Sequence, residues 1–186
     1  GDDGICMKGG AGAAGVKAGP CENINIQDNT VYHAHGGFVI GSEFSGGMKN
    51  IVVRNNTFQG TDAGLRFKSA VKRGGKSENI YIDHIYMTDI TGDAITFETT
   101  YFDNHVGAKQ QAAPVKQEFL PDFQDIHISN VYVRGCKNGI VAHGAEGMIH
   151  DITIKDSNIF YNKNAKDIDA ACKITLENVN FSTFAK

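Results

Sequence analysis

A short pattern recurs along this chain and limits what it can fold into. A polar residue is followed by Ile-x-Ile or Ile-x-Val, then by a polar turn and a second apolar pair. It reads Asn23-Ile24-Asn25-Ile26-Gln27-Asp28, then Asn50-Ile51-Val52-Val53-Arg54-Asn55, then Asn79-Ile80-Tyr81-Ile82-Asp83-His84. Later copies begin at Asp125-Ile126, Asp151-Ile152 and Lys173-Ile174. The first isoleucines stand at 24, 51, 80, 126, 152 and 174, at intervals of 27, 29, 46, 26 and 22 residues. A period in the twenties fits one coil of a parallel β-helix. The long interval implies an insertion, expected at residues 102–122.

Strand alternation places Ile24 and Ile26 in one inward row and Ile51 and Val53 in the row above. Four residues after each first isoleucine stands Asp28, Asn55, His84, Asn130, Asp156 or Asn178. Asn and Asp tolerate tight or left-handed turns, and stacked turns can form side-chain ladders. A second strand-like segment lies between copies: Gly37-Phe38-Val39-Ile40-Gly41, Gly64-Leu65-Arg66-Phe67-Lys68, Asp93-Ala94-Ile95-Thr96-Phe97 and Gly139-Ile140-Val141-Ala142-His143. The rival, an antiparallel sandwich, does not require the same turn residue in the same register at every repeat. Its hairpin signal, Asn-Gly, occurs once, at Asn138-Gly139. The expected fold is all-β: a right-handed, single-stranded parallel β-helix of about six coils in one domain over 1–186. The chain opens on Gly1-Asp2-Asp3-Gly4 with no sign of a cap, so preceding coils are expected to be missing.

Composition supports many short strands: 22 Gly, 3 Pro and no Trp among 186 residues. The net charge of −3 carries no basic footprint for nucleic acid. No apolar run is long enough for a membrane span. Cys6, Cys21, Cys136 and Cys172 have no zinc spacing, so no metal site is read from them. Disulfides and buried free thiols both remain open, the thiols being the plainer reading.

Stacked coils lie about 4.8 Å apart, so equivalent positions form rows near contact distance. Asp3 to His35 is 32 residues and His35 to Arg66 is 31. That is one coil each, so Asp2, Asp3, His35, Arg66 and Lys68 are expected to cluster on one face. Singly, each has a plain explanation: a solvated turn, a surface histidine, an exposed basic strand. His33, His84, His105, His127, His143 and His150 show no partner pattern and are read as structural or surface residues.

Gly1-Asp2-Asp3-Gly4, Ala34-His35-Gly36-Gly37 and Arg66-Phe67-Lys68 resemble three of the four motifs of glycoside hydrolase family 28, the polygalacturonases. Gly36 to Glu43 and Thr99-Thr100-Tyr101 fit as well. Two departures stand out. Ala34 replaces the first Gly of Gly-His-Gly, and no Asn-Thr-Asp motif precedes Gly1. The resemblance implies hydrolysis of a pectic uronate polymer, with pectin or oligogalacturonate as partner, no cofactor, a monomer, and a secreted or periplasmic protein. Asp2 would be the general acid and Asp3 a base shared with an upstream Asp. His35 would set the acid's protonation and orientation, Arg66 and Lys68 would hold a substrate carboxylate, and Tyr101 would line a sugar subsite. Glycoside hydrolysis needs such a carboxylate pair. Adjacent acids repel, which favours keeping one protonated. Two cations on one face suit a carboxylate. Gly41-Ser42-Glu43 and Gly46-Gly47 resemble exo-acting members. The rivals are a pectate lyase, which would need more calcium-binding carboxylates than Asp2 and Asp3, and a glycan-binding solenoid without full activity.

Overall fold

The structure is a computed structural model and describes residues 1–101 and 118–183. Its first stack of strands is β2 (Cys21–Gln27), β3 (Thr30–Tyr32), β5 (Met48–Gln59), β7 (Ser77–Thr88), β9 (Ile126–His143), β10 (Ile152–Ile168) and β11 (Ile174–Thr183). All are parallel, and their register joins Ile24 to Ile51, Ile51 to Ile80, Ile80 to Ile126, Ile126 to Ile152 and Ile152 to Ile174. The six copies therefore stack as the repeat requires. Ile51, Ile80, Ile126 and Ile152 are fully buried. Ile24 and Ile174, with one neighbouring copy each, are half-buried. Full burial of one such side chain is worth roughly 1.5–3 kcal/mol, so this row is a main source of stability.

The turn reading holds at every copy. Asp28, Asn55, His84, Asn130, Asp156 and Asn178 all have φ between 49 and 60°. A second left-handed position precedes the first isoleucine, at Asn23, Asn50, Asn79, Asp125 and Asp151. The main ladder forms there: Asn50 Nδ2 donates to Asn23 Oδ1 at 2.9 Å, and Asn79 Nδ2 donates to Asn50 Oδ1 at 2.7 Å. Asp125 Oδ2 then accepts from the Asn79 backbone N–H.

The second stack is β1 (Ile5–Met7), β4 (Gly36–Ser42), β6 (Ala63–Ser69), β8 (Asp93–Glu98) and the end of β9, again parallel. Phe38, Leu65, Ile95 and Ile140 form its inward row at 0% exposure. The Phe67 and Phe97 rings stack at 4.4 Å between centroids. Asn138-Gly139 makes no hairpin: it runs within β9, where Asn138 Nδ2 donates to Asp93 Oδ1. The one described helix, α1 (Gly12–Ala18), lies between β1 and β2. No described helix is long and apolar enough to cross a membrane.

Of the insertion read at 102–122, residues 102–117 lie outside the described residues. Asp122 already pairs with Lys76, so the coil has resumed by that point. All four cysteines are free, with Cys136 and Cys172 buried and Cys6 and Cys21 half-buried. His84, His127, His143 and His150 are each paired with aspartates near the surface.

Candidate active site

Asp2 and Asp3 precede β1 and lie outside regular strand, so the alternation that would point them apart does not apply. Both line an open groove of about 560 Å³ with Gly1, Cys6, Lys8, His35, Ser42, Glu43, Lys68 and Tyr101. The His35 backbone N–H donates to the Asp2 carbonyl at 3.1 Å, which fixes His35 one coil from Asp2. Five of the six residues expected at the site thus meet in one groove.

Asp3 is the most constrained of them, with its side chain 7% exposed. Lys68 Nζ donates to Asp3 Oδ2 at 2.7 Å. Asp3 Oδ1 is buried and has no hydrogen-bond partner among the described residues, and Arg66 Nη1 stands 3.9 Å from it. Gly36, the glycine after His35, packs beside this cluster, and it is Val39 that leaves no room for a side chain there. A Cβ there would overlap Val39 Cγ2 and lie 3.5 Å from Asp3 Oδ1 and 3.7 Å from Arg66 Cβ. Ala34, by contrast, is a buried alanine of the core.

Asp2 is exposed, and its Oδ1 accepts from the Asp3 backbone N–H at 2.7 Å. That bond, helped by the charges of Lys68, His35 and Lys8, holds the Asp2 carboxyl below its usual range. Burial pushes the Cys6 thiol up to about 11. The neutral thiol donates to the Gly41 carbonyl at 3.3 Å and lies 3.8 Å from Asp3 Oδ2.

The cations are placed differently from the expected row. Ile5 pairs with Phe38 and Phe38 with Leu65, offsets of 33 and 27 residues. Arg66 therefore pairs with Val39 rather than His35, and it stands outside the groove lining. Its guanidinium carbon lies 5.4 Å from the centre of the Tyr101 ring, and Lys68 Nζ lies 4.9 Å from it. Tyr101 lines the groove while packing against both cations. Lys68, expected to be open to substrate, is 8% exposed and engaged by Asp3.

Motif reading missed a second charged group in the groove. Lys8 Nζ donates to Glu43 Oε2 at 2.8 Å, Arg73 Nη1 lies 3.6 Å from Glu43 Oε1, and Arg73 Nη1 donates to Ser42 Oγ at 3.0 Å. Lys8 and Glu43 belong to no shared motif and meet just past the β1–β4 pairing, which ends at Met7 and Ile40. Among the described residues, no three His, Cys, Asp or Glu side chains are grouped as a metal site.

The comparisons agree with one another. The family model described as Glycosyl hydrolases family 28 matches residues 1–183. An exo-poly-alpha-D-galacturonosidase of Dickeya chrysanthemi is 31% identical over 134 residues, which is 72% of this chain and 22% of that protein. A polygalacturonase of Ralstonia solanacearum is 31% identical over 144 residues, covering 75% and 23%. The crystal structure of a hyperthermoactive exopolygalacturonase from Thermotoga maritima matches with a TM-score of 0.83 at 30% identity, over 97% of this chain and 39% of that one. The chain spans under half the length of each of these relatives. Motifs, coil register and family match converge: the chain belongs to glycosyl hydrolases family 28.

Proposed function

We propose that this chain carries the catalytic groove of a pectin hydrolase that cleaves glycosidic bonds in polygalacturonate or a related uronate polymer. The observation that carries the reading is Asp3: one oxygen is ion-paired to Lys68, and the other is buried beside the groove with no hydrogen-bond partner among the described residues. A carboxylate gripped through one oxygen and unpaired at the other is suited to take a proton from a water that reaches that second oxygen.

In the proposed reaction, the water oxygen bonds to the anomeric carbon as the bond to the leaving sugar oxygen breaks. The water's proton passes to Asp3, and Asp2 supplies the proton that the leaving oxygen takes up. Asp2 must therefore be protonated when substrate is bound, although the Asp3 N–H favours its ionised form in the chain alone. Covering Asp2 with a sugar that carries its own carboxylate acts in the opposite direction, by desolvation and like charge. His35 orients this end of the groove, and Tyr101 offers a face to a neighbouring sugar. Two of the relatives named above are exo-acting by name, and exo action is the finer form of the proposal. Because the substrate is a polymer of the plant wall, the protein would work outside the cytoplasm, in a secreted or periplasmic form.

The test is release of reducing ends from polygalacturonate by the protein carrying this chain. Asp2→Asn and Asp3→Asn should each lower kcat by about 10²–10⁴. Unchanged turnover in both would sink the reading. The lowered pKa of Asp2, which favours its ionised form, supports one alternative, a groove that holds uronate without cleaving it; binding of oligogalacturonate with no turnover by the unmutated protein would support that instead.

A further inference from the structure

We propose that the outward face of β7, β9 and β10 holds a second, non-catalytic site for a stretch of uronate polymer, built on Tyr86, Tyr132, Phe160 and Arg134. The inference rests on the pectin reading above. None of these four residues lines the catalytic groove.

Alternation along the coil turns Tyr86 and Tyr132 outward, while Ile85, Met87, Val131 and Val133 beside them are at most 1% exposed. The core is thus closed without the two rings, which stand on its outer side. The strand register sets Tyr86 directly beside Tyr132. Their rings are parallel to within 5°, with centroids 5.7 Å apart, and the Phe160 ring follows at 5.9 Å from that of Tyr132. Tyr86 is 38% exposed and Tyr132 42%. Neither hydroxyl makes a hydrogen bond among the described residues. A row of rings with apolar bodies and free polar tips suits a partner that is itself both wet and partly apolar, as a sugar is.

Arg134 supplies the charge. It follows Tyr132 by two positions on β9, so it points to the same side, and its register partner on β10 is Phe160. It is exposed and forms no ion pair among the described residues. The acid beside its other register partner, Thr88, is Asp89, whose Oδ2 accepts from Thr88 Oγ1 instead. Just past Arg134 the surface dips into a cleft of about 170 Å³ that holds Lys137 and Asn162, with Asp89 as the one acid in its lining. Lys137 also forms no ion pair among the described residues. A neutral glycan would use the rings and leave both cations idle. A uronate chain uses both features, because a guanidinium takes a carboxylate through two hydrogen bonds.

The experiment is affinity electrophoresis of the protein that carries this chain, through gels holding polygalacturonate or its methyl ester. Asp2→Asn is present in every sample, so that the polymer survives the run. Tyr132→Ala should weaken retention about three- to tenfold on both polymers. Arg134→Ala should weaken it about two- to fivefold on the acid polymer alone, and Arg134→Lys should recover part of that loss. In the protein with Asp2 intact, Tyr132→Ala and Arg134→Ala should leave turnover of a short oligogalacturonate unchanged. Undiminished retention in Tyr132→Ala, equal loss from Arg134→Ala on both polymers, or lost turnover of the short oligomer overturns the inference while the pectin reading stands. If the unmutated protein turns over neither polymer nor oligomer, the pectin reading itself fails, and this inference with it.

Discussion

Lys68 Nζ sits 2.7 Å from Asp3 Oδ2, and both side chains are more than nine-tenths buried. The pair spans two coils and closes the floor of the groove. A buried ion pair adds little net stability, but breaking it by removing one partner strands a charge.

Lys68→Met should therefore destabilise the fold by about 3 kcal/mol, read from urea unfolding midpoints. Polygalacturonate turnover should fall mainly in kcat, because Asp3 loses the group that positions it. A rise confined to KM would show that Lys68 binds substrate directly.

Arg66→Ala tests the corrected place of that residue. Its guanidinium lies near Asp3 and over Tyr101 rather than in the groove lining. Turnover should drop by a similar factor, about tenfold for a lost charge-assisted contact, on de-esterified and esterified polymer alike. Loss restricted to the de-esterified polymer would return Arg66 to the role of carboxylate reader.

The left-handed turns predict a substitution pattern. Asn55 is exposed with φ of 52° and belongs to the repeated corner. Asn55→Gly should change stability by less than about 0.5 kcal/mol, and Asn55→Val should cost about 1–2 kcal/mol, because a branched Cβ meets the carbonyl in this region. Equal melting temperatures for the two variants would argue against backbone strain as the reason for Asn at this corner.

Stability should also depend on acid in a defined direction. Burial pulls the carboxyls of Asp83 and Asp125 upward, but hydrogen bonds outweigh it and hold both below the usual value: Asn130, Ser129 and His84 at Asp83, and the Asn79 N–H and His127 at Asp125. A carboxyl depressed in the folded state contributes stability that is present above its unfolded pKa and is lost as pH falls through the folded value. Their contribution should be flat from neutral pH down to about 5 and decline below about 4. Asp83→Asn should flatten the decline in urea midpoint between pH 5 and pH 3; an unchanged slope would count against the linkage.

The coil is written in local sequence. Alternation of period two and a left-handed corner residue are local properties, so Ile51, Ile80 and Asn55 carry their roles within a few residues of chain. Asp2, Asp3, His35 and Tyr101 were legible as groove residues for a related reason: each sits at a fixed place in its own coil. Which side chains meet depends on how the coils stack. The offsets of 33 and 27 residues between stacked strands slide Arg66 beside Val39, and Lys8 meets Glu43 at 2.8 Å just beyond the paired stretch. Those offsets depend on how the corners and α1 take up chain between strands, a non-local packing outcome that no short motif encodes. Two coils must be stacked before Lys68 can find Asp3, which is why a cation expected to face the substrate is instead held by the carboxylate beside it.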